Sequence, residues 1–263
     1  MKTVPSSKEI NLNGDEIVDI TLAHLYPQHM NLYGDRGNVL ALQYRAQKRH
    51  MGFHIINVEI GEPVDWRQVD IVFMGGGEDS HQAKIYEDFL RRKDSLSEAL
   101  SQGLPMLAVC GAYQLLGHEY RTADGQILLG LGYLDVVTKA GATRSIGDVV
   151  CETVLPLTPN TLVGFENHGG QTFLGEKAKP LAHVQLGHGN NGEDGTEGAL
   201  QNHVIGTYLH GSLLPKNPHL TDLLLSWALE WREGKPVELP PLDSSWEMAA
   251  HEVIVKRRNL KHV

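Results

Sequence analysis

Only two cysteines, Cys110 and Cys151, occur in the 263 residues, too few for a disulfide framework. No segment combines a basic start, an apolar run and a small-residue cleavage site, so a reducing, cytoplasmic setting is expected. No apolar run approaches the roughly 20 residues needed to cross a bilayer, and direct membrane insertion is not expected. Basic residues are scarce as well: 23 Lys and Arg stand against 32 Asp and Glu, a formal charge of -9. That balance argues against the positive surface that nucleic acid or an anionic bilayer requires. A metal site is not expected, because His183 and His188 lack further ligands nearby. A phosphate cradle is disfavoured too: Gly75-Gly76-Gly77 is followed by Glu78 and Asp79 instead of Gly-Lys-Ser/Thr.

What is present is a chain long enough for a full core, with no linker and no internal repeat. Residues 1–16 are polar and unpatterned, a flexible tail; residues 17–263 are expected to form a single domain ending in a C-terminal helix. Apolar runs at Ile17 to Leu25, Phe53 to Glu59, Asp70 to Met74 and Met106 to Val109 read as strands at βαβ spacing. Helices are expected at Arg36 to His50, with Asp35 as its cap, and from about His81 to Ser101. The fold class is therefore α/β, a mainly parallel sheet flanked by helices. Beyond Gly117, short β-like runs at Ile127 to Val137, Ile146 to Leu155, Thr161 to Glu166 and Leu181 to Leu186 suggest an antiparallel β extension. Gly187 to Gly195 reads as a mobile loop. Helices at Pro218 to Arg232 and about Ser244 to Lys261 close the chain.

The chain is organised around Leu104 to Gly117. A buried strand ends at Cys110 and helical spacing begins at Ala112, so the backbone must turn sharply there, with Gly111 as the residue that permits it. A thiol at such an elbow stands at a helix N-terminus, which favours the thiolate; a buried structural cysteine is the alternative. Ligands of parallel sheets bind beyond the strand carboxyl ends, which places Tyr33 to Asn38, Gly75 to Gly77 and Cys110 at one rim. The glycine run can bring backbone N–H groups to a reacting carbonyl, with the N–H of Gly111 as the other half of an oxyanion hole; a ligand-free tight turn is the plain reading. His203 to Gly211 is another apolar strand ending in a histidine, and Cys110 with His210 has the makings of a nucleophile and its base. His168, inside the polar turn Phe165 to Thr172, competes for that role. Arg144, in Thr143-Arg144-Ser145 between two strands, is either a solvated surface cation or a carboxylate clamp.

Val109-Cys110-Gly111-Ala112-Tyr113-Gln114 resembles the nucleophile motif of the class I glutamine amidotransferases. Gly164 to Thr172 and Gly206 to Gly211 resemble the cobyric acid synthase-like branch. Asn31 to Asn38, Phe165 to Gly170 and Leu213 to Asn217 are similar to the glutaminase subunits of lipid II isoglutaminyl synthases. The resemblance implies a subunit that hydrolyses glutamine to glutamate and ammonia through a cysteine thioester. The ammonia would go to a Mur-ligase-like synthetase partner, which would use ATP to amidate the glutamate α-carboxyl of the lipid II stem peptide. Lipid II would be met through the partner, in peptidoglycan synthesis, and this subunit would carry no cofactor of its own. By resemblance, Cys110 is the nucleophile, His210 the base and Arg144 the substrate-binding arginine. Gly76 and Gly111 are oxyanion donors by motif position, and Gln114 belongs to the pocket.

One position departs from the pattern. Many class I members carry a glutamate two residues after the catalytic histidine, where this chain has Ser212. Either a dyad suffices or a carboxylate comes from elsewhere, and the expectation is that the partner completes the site with an acidic side chain or orders the loop after Gly211. Two rival readings remain at this level: a stand-alone cysteine hydrolase such as a γ-glutamyl peptidase, and a non-catalytic scaffold subunit.

Overall fold

A computed structural model describes residues 18–32, 34–210 and 213–257. The expected polar tail, Ile17, Tyr33, Gly211, Ser212 and the end of the C-terminal helix from Arg258 lie outside the described residues. In chain order the elements are β1 (Asp19–Leu25), α1 (Arg36–Gln47), β2 (Gly52–Val58), β3 (Ile71–Met74), α2 (Asp79–Arg91), α3 (Lys93–Ser101), β4 (Met106–Val109) and α4 (Gly111–Leu116). There follow β5 (Glu119–Arg121), β6 (Ile127–Leu129), β7 (Val136–Thr153), β8 (Thr161–Leu174), β9 (Ala182–Leu186), β10 (Thr196–Glu197), β11 (Ala199–Gln201) and β12 (Val204–Thr207). The chain then runs through α5 (Leu213–Lys216), α6 (Pro218–Glu233) and α7 (Ser245–Arg257).

The first sheet has the order β11-β12-β4-β3-β1-β2 and is parallel except at β11. Its central strands are apolar throughout because both faces are covered. Side chains alternate between two cores, as the pleat requires. Val72, Met74, Met106 and Ala108 meet Ile85, Phe89, Leu96 and Leu100 of α2 and α3 on one face. Ile71, Phe73, Leu107 and Val109 meet Val39, Leu42, Leu220 and Leu224 of α1 and α6 on the other. At about 1.5–3 kcal/mol for each fully buried aliphatic or aromatic side chain, this layering is the main source of stability. The α1–α6 contact is also tied by charge: Arg45 and Arg49 both donate to the Asp222 carboxylate, at 2.6 and 2.6 Å from Arg45 and 3.0 and 2.9 Å from Arg49.

The second sheet runs β10-β9-β7-β5-β6, with β8 along β7, and is antiparallel except for β5 on β7. The antiparallel extension is therefore present, with different strands from those expected. β7 is continuous through Arg144, and Phe165 to Thr172 is strand where a turn was expected. Glu166, His168, Gly170 and Thr172 are buried while the residues between them are half-buried, a period of two carried by polar side chains. Polar and glycine residues hid the strand because the face it covers is a polar one. The helix expected from His81 to Ser101 is two helices, parted at Arg92, whose guanidinium donates to Asp88 and to the Tyr26 hydroxyl. The glycine-rich segment after Gly187 is anchored, with Asn190 bonded to both backbone groups of Gly198 at 2.9 Å. Among the described residues no helix is long and apolar enough to cross a membrane.

Candidate active site

Cys110 stands between β4 and α4, with φ +52° and ψ -106°, a strained backbone that a non-glycine residue holds only when its surroundings fix it. Its N–H donates to the Thr207 carbonyl of the neighbouring β12 at 2.8 Å. The sharp turn is thus taken by the cysteine itself and not by Gly111, as the sequence suggested. Gly111 is required for a different reason. A Cβ there would lie 2.9 Å from Gln82 Nε2 and 3.1 Å from the backbone nitrogen of Gly77, so the α4 terminus and the glycine loop can approach each other only without a side chain.

His210 follows β12 and is fully buried. Its backbone N–H and carbonyl pair with Phe165 at 2.8 and 3.1 Å, which joins the two sheets at the site. Asp35, expected as the cap of α1, makes no capping bond. Its carboxylate turns inward, fully buried: Oδ1 is 3.4 Å from His210 Nδ1, and Oδ2 accepts the Gly76 N–H at 2.6 Å. Burial alone would lower the His210 pKa, but the charge of Cys110, hydrogen bonds with Asp35 and Cys110 and the charge of Asp35 outweigh it, raising the value to about 10. The imidazole lies between the sulfur of Cys110 and the Asp35 carboxylate, both of which favour its cationic form, the electrostatic arrangement of a nucleophile, base and orienter. A Cβ on Gly76 would lie 2.9 Å from His210 Cε1, 3.3 Å from Cys110 Cβ and 3.4 Å from Asp35 Oδ2, so all three groups close around one glycine.

Sequence reasoning passed over Asp35 because an acidic residue before a helix ordinarily caps it. The available signal was its place among glycines after a buried strand, at the same rim as Cys110. Two other motif residues hold this corner together. Asn38 Oδ1 accepts the Leu214 N–H at 2.9 Å, and the Asn217 amide bonds both backbone groups of Val163 at 2.7 and 3.0 Å.

Cys110 opens into a cleft of about 560 Å³, lined in part by Gly77, Glu78, Gln114, Arg144, His168 and Gly170. Arg144 projects from a bulge in β7 at the mouth of the cleft. Gln114 reaches the wall with its amide already engaged, accepting from Gln82 at 3.0 Å and donating to the Tyr208 hydroxyl at 3.1 Å. His168 also lines the cleft, but it is stacked on Tyr208, with Nδ1 donating to the Gly170 carbonyl at 2.7 Å. His210, which meets Cys110 and Asp35 around Gly76, is therefore the base that the geometry favours over His168. The expectation for Gly76 needs correction: its N–H is directed to Asp35 and away from the cleft. Gly77 is the glycine of the run that lines the cleft. Cys151 is wholly buried in β7, with its thiol donating to the Leu162 carbonyl at 3.6 Å and its pKa pushed up by burial. Among the described residues no group of three or more His, Cys, Asp or Glu is placed to hold a metal ion.

Residues 21–218 match the CobB/CobQ-like glutamine amidotransferase domain. Subunit GatD of the glutamine-hydrolysing lipid II isoglutaminyl synthase of Staphylococcus aureus is 42% identical over 241 residues, covering 92% of this chain and 97% of the relative. The same subunit of Streptococcus pneumoniae is 37% identical over 251 residues, covering 94% and 95%. The fold is shared with the glutaminase domain of Trypanosoma brucei CTPS, solved with bound acivicin, at a TM-score of 0.53 and 12% identity over 84% of this chain and 96% of that one. With a family match over residues 21–218 and a relative 42% identical over nearly its whole length, this chain belongs to the CobB/CobQ-like glutamine amidotransferase family.

Proposed function

We propose that this chain hydrolyses the side-chain amide of glutamine through a Cys110 thioester and delivers the ammonia to an ATP-using, Mur-ligase-like synthetase, which amidates the glutamate α-carboxyl of lipid II. The observation that carries the chemistry is the meeting of Cys110, His210 and Asp35 around Gly76. The substrate and the partner are supported by near full-length similarity to two GatD subunits of lipid II isoglutaminyl synthases.

In this reading the Cys110 thiolate attacks the amide carbon, and the carbonyl oxygen becomes an oxyanion. The N–H of Gly111 and that of Gly77, whose backbones lie against each other, replace the expected Gly76 and Gly111 pair as its donors. His210 gives its proton to the leaving nitrogen, and ammonia departs. Water then adds to the thioester as His210 takes a proton back, and glutamate is released with the thiolate restored. Asp35 keeps His210 in the tautomer and orientation that both transfers need. At the cleft wall Arg144 would meet the α-carboxylate and Glu78 the α-ammonium, opposite charges suited to a free amino acid. These steps call for no cofactor from this chain, and ATP would be bound by the partner.

Ammonia release from glutamine, measured for the wild-type chain and Cys110→Ala, tests the reading. Activity lost on substitution supports it. Cleavage of γ-glutamyl peptides at rates above glutamine would transfer the chain to the peptidases, and an unchanged rate in Cys110→Ala would leave it a scaffold. For the partner, a lipid II amidation assay should need this chain, the synthetase, ATP and glutamine together.

A further inference from the structure

The ladder between β7 and β8 breaks at one place. It runs in register from Val136 and Leu174 to Ala140 and Gly170, and resumes at Ser145 and His168. Four residues of β7, Gly141 to Arg144, therefore face the single residue Gly169, a wide bulge at the mouth of the cleft. Bulges re-aim side chains next to active sites. Here the bulge delivers Arg144 to Asn167, which is paired in register with Ile146 just beyond the break. Arg144 Nε donates to Asn167 Oδ1 at 2.5 Å, and Nη2 donates to the backbone carbonyl of the same residue at 3.1 Å.

These two bonds grip one edge of the guanidinium from a single residue. An arginine on an exposed bulge otherwise samples many rotamers, and ordering such a side chain on substrate binding costs side-chain entropy. Asparagine suits the task because its amide oxygen accepts from a cation without neutralising it, whereas a carboxylate would compete with the substrate for the same charge. The neighbours of Asn167 have other duties. Glu166 accepts the His188 and Gly189 N–H groups, and His168 stacks on Tyr208.

We infer that Asn167 is a positioning residue that pre-orients Arg144 for the α-carboxylate of glutamine, so that the bulge and Asn167 together set selectivity for a substrate with a free α-carboxylate. The inference rests on the reading of Arg144 as the carboxylate clamp. The discriminating probe is L-glutamine compared with its α-carboxamide, which keeps the scissile side-chain amide and loses only the carboxylate charge.

The full chain and the variants Asn167→Ala, Asn167→Asp and Arg144→Ala are assayed for ammonia release from both substrates. Asn167→Ala should raise KM for glutamine roughly tenfold, about the worth of one charge-assisted hydrogen bond, with kcat within about twofold. Its kcat/KM for the carboxamide should not change, so the preference for glutamine shrinks. Asn167→Asp, nearly isosteric and least disruptive to folding, should raise the glutamine KM further. In Arg144→Ala the preference should vanish, and adding Asn167→Ala should then cost nothing more. Loss of preference in Arg144→Ala but full preference in both Asn167 variants would overturn the positioning role alone. Preference retained in Arg144→Ala would instead overturn the clamp on which the inference stands.

Discussion

Asp35 and His210, 175 positions apart in the chain, are both fully buried and face each other at 3.4 Å. The second carboxylate oxygen of Asp35 holds the Gly76 N–H at 2.6 Å. One side chain thus sets the orientation of the base and the path of the glycine loop, and it supplies within the chain the carboxylate that Ser212 does not. Under the proposed function, a partner then would not need to contribute an acidic group, and stimulation by a synthetase would come from ordering of the cleft.

Asp35→Asn keeps the shape and removes the charge. Glutaminase kcat should fall by about a hundredfold or more, as when a triad loses its orienting carboxylate. His210 should also lose part of what raises its pKa and so favour a neighbouring thiolate less; labelling of Cys110 by a glutamine-like electrophile should weaken more near pH 6 than near pH 9, where a thiol ionises without that help. A variant with normal turnover and an unchanged labelling profile would show that another group orients His210.

The same electrophile should modify Cys110 and leave Cys151 untouched in the folded chain. Cys151 has no exposed surface, and burial raises its pKa well above the ordinary thiol value. Mass spectrometry of the labelled protein reads the stoichiometry directly. A second equivalent on Cys151 under native conditions would contradict the assignment.

Gly76→Ala should separate activity from stability. The added methyl meets the His210 ring and the base of Cys110, so the two must move apart to admit it. A fall in kcat of about tenfold or more is expected from misplacement of a catalytic group on the scale of 1 Å. Circular dichroism should remain that of the wild type. Wild-type turnover in this variant would mean that the corner is looser than the distances indicate.

Acid should destabilise the protein through His24. Burial in β1 lowers its pKa to about 4, with Asp35 raising and Arg36 lowering it to smaller extents. The unfolded chain takes up a proton near 6.5 and the folded chain does not, so stability declines as pH falls from about 6.5 to about 4, by about 3 kcal/mol in total. His251 and His219, which dock α7 and α6 against Thr161, are lowered by burial as well and act in the same direction. His210 has the opposite sign: its contribution is complete below about 6.5 and is lost as pH rises through about 10. Melting temperature against pH should therefore drop on the acid side, and His24→Gln should flatten that limb. An identical slope in the variant would assign the acid sensitivity elsewhere.

The sequence by itself determined the sheet, the elbow and the place of Cys110 and His210 at its edge. Those features rest on local signals: Met106 to Val109 is apolar because both faces of its strand are covered, and Cys110 and His210 each follow such a run. Tertiary structure alone decided the rest. The polar period-two strand from Phe165 to Thr172 is intelligible only once the buried polar layer beneath it is known, since local pattern equates polar and glycine-rich with turn. Asp35 could turn to His210, and not cap a helix, only when β1, β3, β4 and β12 were laid side by side. Arg144 meets Asn167 only across a break in register that no periodicity foretells. For the strand and for Asp35 the deciding free energy is that of a buried charge or donor finding its partner, and in all three cases the partner is distant in the chain and near only in the fold.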